Sequence, residues 1–383
     1  MRCLWTELIT IKRLIGMTIF LYIKFIIYVI IAFLLVYLVQ IPFRKIKNRF
    51  LLGFLFIAKV LLTLYLGLQI IAFDAKIVWN HEYVFGALYM VLVSDIFRDI
   101  ICFVMSFLRK GKDDRKLKLI ISAVVTVLFI SYNMINMETI TPKYHEISSP
   151  KLKHEYTVVF FADLHYGYVQ TEKTVDRALE EIKQLEPDCL LLGGDITDEN
   201  TTKEDMEIIY QKIGSLGIPV YYAYGNHDRQ DRNDMIGVRK YTESELENAI
   251  AGNGIKILYE DFTEINDDLI LMGREDPSRP EDRKAVKDLP AFPADHYVIV
   301  LDHTPYQDED IIALKADLQL SGHTHAAQFF PIRLIYRIAG LNSLGDYQIG
   351  DTHLYVTPGI GGWYLPLRSE SHCRYEVFTL KPE

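Results

Sequence analysis

Thiols are scarce in this chain. Its cysteines, Cys3, Cys102, Cys189 and Cys373, show neither the paired spacing of a thiolate metal site nor the pattern of a disulfide framework. Cys189 sits in an apolar run and reads as a buried thiol. A Cys189–Cys373 bridge is open to it in an oxidising compartment, but nothing in the sequence requires one. A surplus of positive charge is also missing. With 41 Lys and Arg against 50 Asp and Glu, the net charge of -9 argues against a nucleic-acid surface. No small-residue cleavage site follows the first apolar run, which is too long for a secretory signal peptide. Internal repeats and low-complexity stretches are absent as well.

Long apolar runs are abundant, and all lie in the first third. Stretches at 17–41, 50–73, 83–108 and 119–137 are each long enough to cross a hydrocarbon core of about 30 Å. They predict a four-helix transmembrane domain over 1–137, with a multi-pass place in the cell membrane. Arg44, Lys45, Lys47 and Arg49 follow the first run; Arg109, Lys110, Lys112, Arg115, Lys116 and Lys118 follow the third. Basic loops stay in the cytoplasm, so residue 138 onward is expected on the extracytoplasmic side. Arg2, Lys12 and Arg13 oppose that orientation. Asp95, Arg98 and Asp99 fall on one helical face inside the third run, and Lys59 lies inside the second. Such groups predict an interhelical ion-pair cluster or, alternatively, a polar groove for a lipid headgroup.

Residues 138–153, with Pro142 and Pro150, read as a linker. From 154 to 383, short apolar runs alternate with amphipathic helices, which is α/β patterning. A strand at 157–162 precedes Asp163-Leu164-His165. A helix over 174–185 carries Val175, Ala178, Leu179, Ile182 and Leu185 on one face. The run Leu190-Leu191-Leu192 then breaks at Gly193-Gly194, presenting Asp195 at a strand end. Further strands lead into Gly225-Asn226-His227-Asp228, His303 and Gly322-His323-Thr324-His325. Thr242 and Glu245 fit a capping box for a helix stopping near Gly252.

Each of these segments has a bland reading: Asp195 alone could cap the next helix, and a surface turn often holds His and Asp. Together, Asp163, His165, Asp195, Asn226, His303, His323 and His325 form a mixed nitrogen and oxygen donor set without thiolate. That set suits Mn, Fe, Zn or a similar divalent ion.

The blocks Asp163-x-His165, Gly194-Asp195-x-x-Asp198, Gly225-Asn226-His227-Asp228, His303 and Gly322-His323-x-His325 resemble those of the calcineurin-like metallophosphoesterase superfamily, over about 155–380. The Gly-His-Thr-His-x-x-Gln form ending at Gln328, and Leu365-Pro366-Leu367-Arg368, are similar to its membrane-associated bacterial branch. The resemblance implies a two-sheet β-sandwich flanked by helices and a pair of divalent cations. One would be held by Asp163, His165, Asp195 and His325, the other by Asp195, Asn226, His303 and His323. It implies hydroxide attack on phosphorus between the two ions. His227 would serve the leaving group, with Asp228 orienting its ring, and Asp198 would lie outside the ligand set. Arg368 and Arg274 are candidates for a non-reacting phosphate, or for structural ion pairs.

The expected protein is therefore a membrane-anchored phosphoesterase. Its partners would be membrane lipids and a phosphorylated, lipid-linked substrate bearing a phosphate ester or pyrophosphate. A cytoplasmic-facing pyrophosphate hydrolase of the UDP-2,3-diacylglucosamine type is the alternative that the same resemblance allows. A non-catalytic membrane sensor with a metal-binding module is the alternative from another class.

Overall fold

The computed structural model describes residues 17–40, 48–72, 81–108, 115–167, 169–233, 237–326, 328–363 and 365–383. The chain divides into two compact units, Met1–Ile135 with Phe329–Ile332, and Asn136–Gln328 with Arg333–Glu383.

The first unit is helical: α1 (Met17–Gln40), α2 (Arg49–Ala72), α3 (His81–Leu108) and, continuing into the second unit, α4 (Arg115–Met137). Leu, Ile, Val and Phe dominate them, and Ile27, Ile30, Leu34 and Leu38 of α1 face outward. A helix apolar all round needs lipid or protein on every side. Two of the described helices, not the expected four, are long and apolar enough to cross a membrane, over Ile23–Gln40 and Lys116–Met137. In α2 the described apolar stretch ends at Thr63, and α3 carries Asp95, Arg98 and Asp99 in its interior.

Those three residues form a closed ionic cluster with Lys59. Lys59 Nζ lies 2.9 Å from Asp95 Oδ2 and also pairs with Asp99. Arg98 pairs with Asp95 and reaches Asp99 Oδ1 at 2.6 Å. Gln40 of α1 donates to Asp95 and accepts from Arg98 at 3.3 Å. Two cations thus meet two anions, the arrangement that makes buried charge tolerable. Of the alternatives for these residues, the geometry is that of the ion-pair cluster.

The second unit is a sandwich of two six-stranded sheets. One runs in the order β1 (Ile140–Ser149), β14 (Cys373–Pro382), β2 (Tyr156–Phe161), β3 (Cys189–Leu192), β4 (Val220–Tyr222), β7 (Lys256–Ile257). The other runs β12 (Gly345–Ile349), β13 (Thr352–Val356), β11 (Leu318–Ser321), β10 (Tyr297–Leu301), β9 (Leu269–Gly273), β8 (Asp261–Glu264). A ribbon of β5 (Arg232–Asn233) and β6 (Gly237–Val238) stands apart. Helices α5 (Glu172–Gln184) and α6 (Lys203–Gly214) cross over between parallel β2, β3 and β4. The remaining helices are α7 (Asn226–Arg229), α8 (Glu243–Gly252), α9 (Asp308–Leu314) and α10 (Ile332–Ile338).

Strand alternation builds the layers. Val158 and Phe160 pack between the sheets against Leu191, Ile299 and Leu320, while Val159 and Phe161 pack outward against Val175, Leu179 and Ile182 of α5. Strands buried on both faces must be apolar throughout, which is why their sequences run unbroken. The interval 138–153, expected as a linker, instead holds β1, paired in parallel with β14 along its whole length. As the edge strand, β1 tolerates Pro142 because one side makes no ladder. The parallel connections set the carboxyl ends of β2, β3 and β4 side by side, with those of β10 and β11 opposite.

Candidate metal centre

Immediately after these strand ends the backbone does something costly. Asp163, His165, Asp195, His323 and His325 have φ of 58°, 48°, 53°, 69° and 42°. A left-handed residue with a side chain costs about 1 kcal/mol or more, and such residues cluster where function requires them. Cross-bracing holds them there. Asp163 N donates to Gly194 O at 3.0 Å, His165 N to Asp195 O at 3.1 Å, and Gly361 N to Asp163 O at 3.0 Å. Two glycines let the chain pass close by: a Cβ on Gly225 would meet Asp195 Oδ1, and one on Gly322 would meet Asp163 Oδ2.

The side chains converge as two groups, Asp163 with His165 and His325, and Asp163 with Asp195 and His303. Asp195 Oδ2 stands between the groups, 3.0 Å from His303 Nε2 and 4.0 Å from His165 Nε2. His325 Nε2 is 3.1 Å from His165 Nε2 and 3.5 Å from Asp163 Oδ1. Asn226 Oδ1, on the first residue of α7, lies 2.8 Å from His323 Nδ1. All seven expected ligands are therefore brought together, and Asp163 comes within reach of both groups rather than one.

The donor chemistry fits divalent cations. His303 Nδ1 donates to Gly193 O at 2.7 Å, which leaves Nε2 as the nitrogen facing the carboxylates. That Nε2 is buried against Asp195 Oδ2 at 3.0 Å, and His165 and His325 turn their Nε2 atoms to one another at 3.1 Å. Two imidazole nitrogens facing one another beside two carboxylates make an arrangement that a cation satisfies.

Protonation is uneven across the site. Burial lowers His323 to about 4, and burial together with the charges of His165 and Arg368 holds His325 well below the usual range. Both are thus neutral donors at pH 7. Burial favours the neutral acid in both Asp163 and Asp195. In Asp195 the nearby His303, His227 and His165 overcome it and hold the group well below the carboxylate range. In Asp163 burial wins, and its affinity for a proton rises.

His227 lies beside this cluster, its backbone N donating to Asp195 Oδ1 at 2.8 Å. Burial disfavours its charged form, but the carboxylates of Asp195 and Glu199 outweigh that and raise it to about 9. Asp228 does not orient its ring, contrary to expectation. The Asp228 carboxylate instead accepts from the backbone N of Asp195 (2.7 Å), Gly225 (2.8 Å), Ile196 (3.1 Å) and Thr197 (3.2 Å), pinning two ligand loops together. The group on His227 Nδ1 is Glu199, fully buried at 3.0 Å, a residue that the motifs gave no reason to select. Asp198 Oδ2 lies 3.3 Å from His165 Nδ1, behind the ligand, as expected. Trp363 and Tyr306, also not selected, set aromatic rings 6.2 Å from His227 and 5.9 Å from His323.

For the two arginines the structure favours one of the expected alternatives. Arg368 is buried, donating to Pro358 O at 2.7 Å and Gly361 O at 2.8 Å. Arg274 is buried beside Glu260 and donates to Lys284 O at 3.0 Å. Both are fully buried and braced by carbonyl oxygens, and Arg274 also by Glu260, which is the structural alternative rather than an exposed phosphate site.

Residues 156–327 match the calcineurin-like phosphoesterase family. That family consists of metal-dependent phosphoester hydrolases with a dinuclear metal centre. Among relatives, an uncharacterized metallophosphoesterase of Campylobacter jejuni is 27% identical, over 71% of this chain and 73% of its own length. A zebrafish (Danio rerio) transmembrane protein with metallophosphoesterase domain is 27% identical over 68% of this chain, and the match spans 62% of that protein. Phosphodiesterase YaeI of Escherichia coli is 29% identical over 59% of this chain and 82% of its own length.

Proposed function

We propose that the chain is a membrane-anchored, two-metal phosphoesterase that hydrolyses a phosphate ester or pyrophosphate in a lipid-linked substrate, on the outer side of the cytoplasmic membrane. The observation that carries this reading is the convergence at the strand ends of both sheets of Asp163, His165, Asp195, His303 and His325, with His323 packed edge-on against His303 and Asn226 beside it. Asp163, His165, Asp195 and His325 would hold one cation, and Asp195, Asn226, His303 and His323 the other. When bound, such a pair makes a water strongly acidic and neutralises charge on the phosphoryl oxygens. The protein's own groups do the rest. Glu199 fixes His227 through Nδ1, leaving Nε2 to deliver a proton to the departing oxygen. Asp228 keeps the Asp195 and Asn226 loops in register. Trp363 and Tyr306 limit water around the imidazoles.

Anchoring is supported by the two candidate spans and by the zebrafish relative described as transmembrane. The outward orientation is supported by the basic stretches at 44–49 and 109–118. A site carried next to a bilayer favours substrates that reside in it.

Full-length protein purified in detergent and loaded with Mn²⁺ should hydrolyse bis(p-nitrophenyl) phosphate and members of a lipid-phosphate panel. Asp195→Asn should lose both the turnover and bound metal. A folded protein that binds two Mn²⁺ per chain yet turns over nothing would be a metal sensor, and the catalytic reading would fall.

A further inference from the structure

Between His325 and β12 the chain makes an excursion whose outer face neither the core nor the metal centre uses. On α10, Leu334 and Ile338 lie four residues apart and are 52% and 79% exposed, and Leu341 extends the row three residues on. Arg333 and Arg337, both exposed, flank it at the same spacing. The inner side is distinct: Ile332 is buried, and Ile335 and Tyr336 are half-buried. The excursion is tied to the ligand turn at both ends. Thr324, between His323 and His325, donates to Ser343 O at 2.6 Å. Gln328 N donates to His325 O at 2.9 Å.

Two observations name the occupant. An apolar row edged by arginines is the pattern of a helix lying in a lipid headgroup layer, and here it stands in a chain of net charge -9. Only Glu138 and Thr139 separate α4, which contains a candidate span, from β1.

We propose that the face of α10 formed by Leu334, Ile338 and Leu341, with Arg333 and Arg337, rests in the headgroup layer of an anionic bilayer. A lipid-linked phosphate would then meet the metal-ligand turn without leaving the membrane surface. This rests on the membrane anchoring proposed above.

The test is collision accessibility of a nitroxide on Ile338→Cys, in a Cys3→Ser, Cys102→Ser background. The full chain is held in nanodiscs of phosphatidylcholine with a minor fraction of phosphatidylglycerol, and a second label on Leu34→Cys in α1 is the reference. Relaxation of label 338 by oxygen should exceed that by a water-soluble nickel chelate several-fold. Arg333→Glu with Arg337→Glu should reverse the ratio, while turnover of a soluble diester stays unchanged. A label at 338 relaxed mainly by nickel, with label 34 relaxed by oxygen, overturns the proposal and leaves anchoring intact. Nickel access at both positions overturns the two together. Spin–spin broadening at 338 on full labelling would assign the face to a second copy and also overturn it. The accessibility readings do not depend on catalysis.

Discussion

The ligand residues were legible because each ends an apolar run, and a sequence shows where runs end. Asp163, Asp195, His303 and His323 could be picked from one dimension for that reason. Glu199 could not, because nothing local separates it from its neighbour Asp198; only the fold brings it to His227 Nδ1 at 3.0 Å. Arg274 and Arg368 are the cases in which the sequence left two roles open. Their charge suggested an anion, yet burial and carbonyl partners make them structural. The assignment of Glu199 has a direct check. Glu199→Gln should lower kcat about 10- to 100-fold with KM little changed, as expected when the group that orients a working histidine is lost. Metal content measured on the same sample should stay at the wild-type level, since Glu199 is not among the ligands.

Helices declare themselves by period, and α5 and α8 lie close to where the pattern put them, whereas the short α7, α9 and α10 offer too few turns to show one. The apolar face of α5 is buried as expected, and the Thr242–Glu245 capping box opens α8, which ends at Gly252. β1 was hidden because it is an edge strand, lacks two-residue apolar alternation, and pairs with the far end of the chain. Local patterning holds no trace of such a partner. Two predictions belong at this scale. The hydrogen bond from Lys203, reinforced by the Thr242 backbone N, lowers Glu245 from 4.5 to about 2. Its support of α8 is therefore complete above pH 4.5 and lost as pH falls towards 2. Urea midpoints measured against pH should converge for wild type and Glu245→Gln over that acid window. In the helical unit, Lys59→Met leaves Asp95 and Asp99 with Arg98 alone, which should cost about 2–3 kcal/mol. Adding Asp95→Asn restores neutrality, and thermal unfolding in nanodiscs should show most of that loss recovered.

For the whole molecule, metal and stability should be linked. Chelation leaves Asp163 and Asp195 buried together with facing imidazoles and no cation between them. Mn²⁺ at about a hundred times its dissociation constant should add roughly 2.7 kcal/mol. For a unit of this size that raises the melting temperature by about 5–10 °C. Calorimetry with and without EDTA reads the shift, and a melting point indifferent to metal would contradict the ligand assignment. The division of the donors has a mechanical consequence. Asp163, His165, Asp195 and Asn226 follow strands of one sheet, whereas His303, His323 and His325 follow strands of the other. Bound ions would act as rivets across the seam between two slabs otherwise joined by apolar packing and a few hydrogen bonds. Pulled in shear, the loaded protein should yield later and more abruptly than the stripped one.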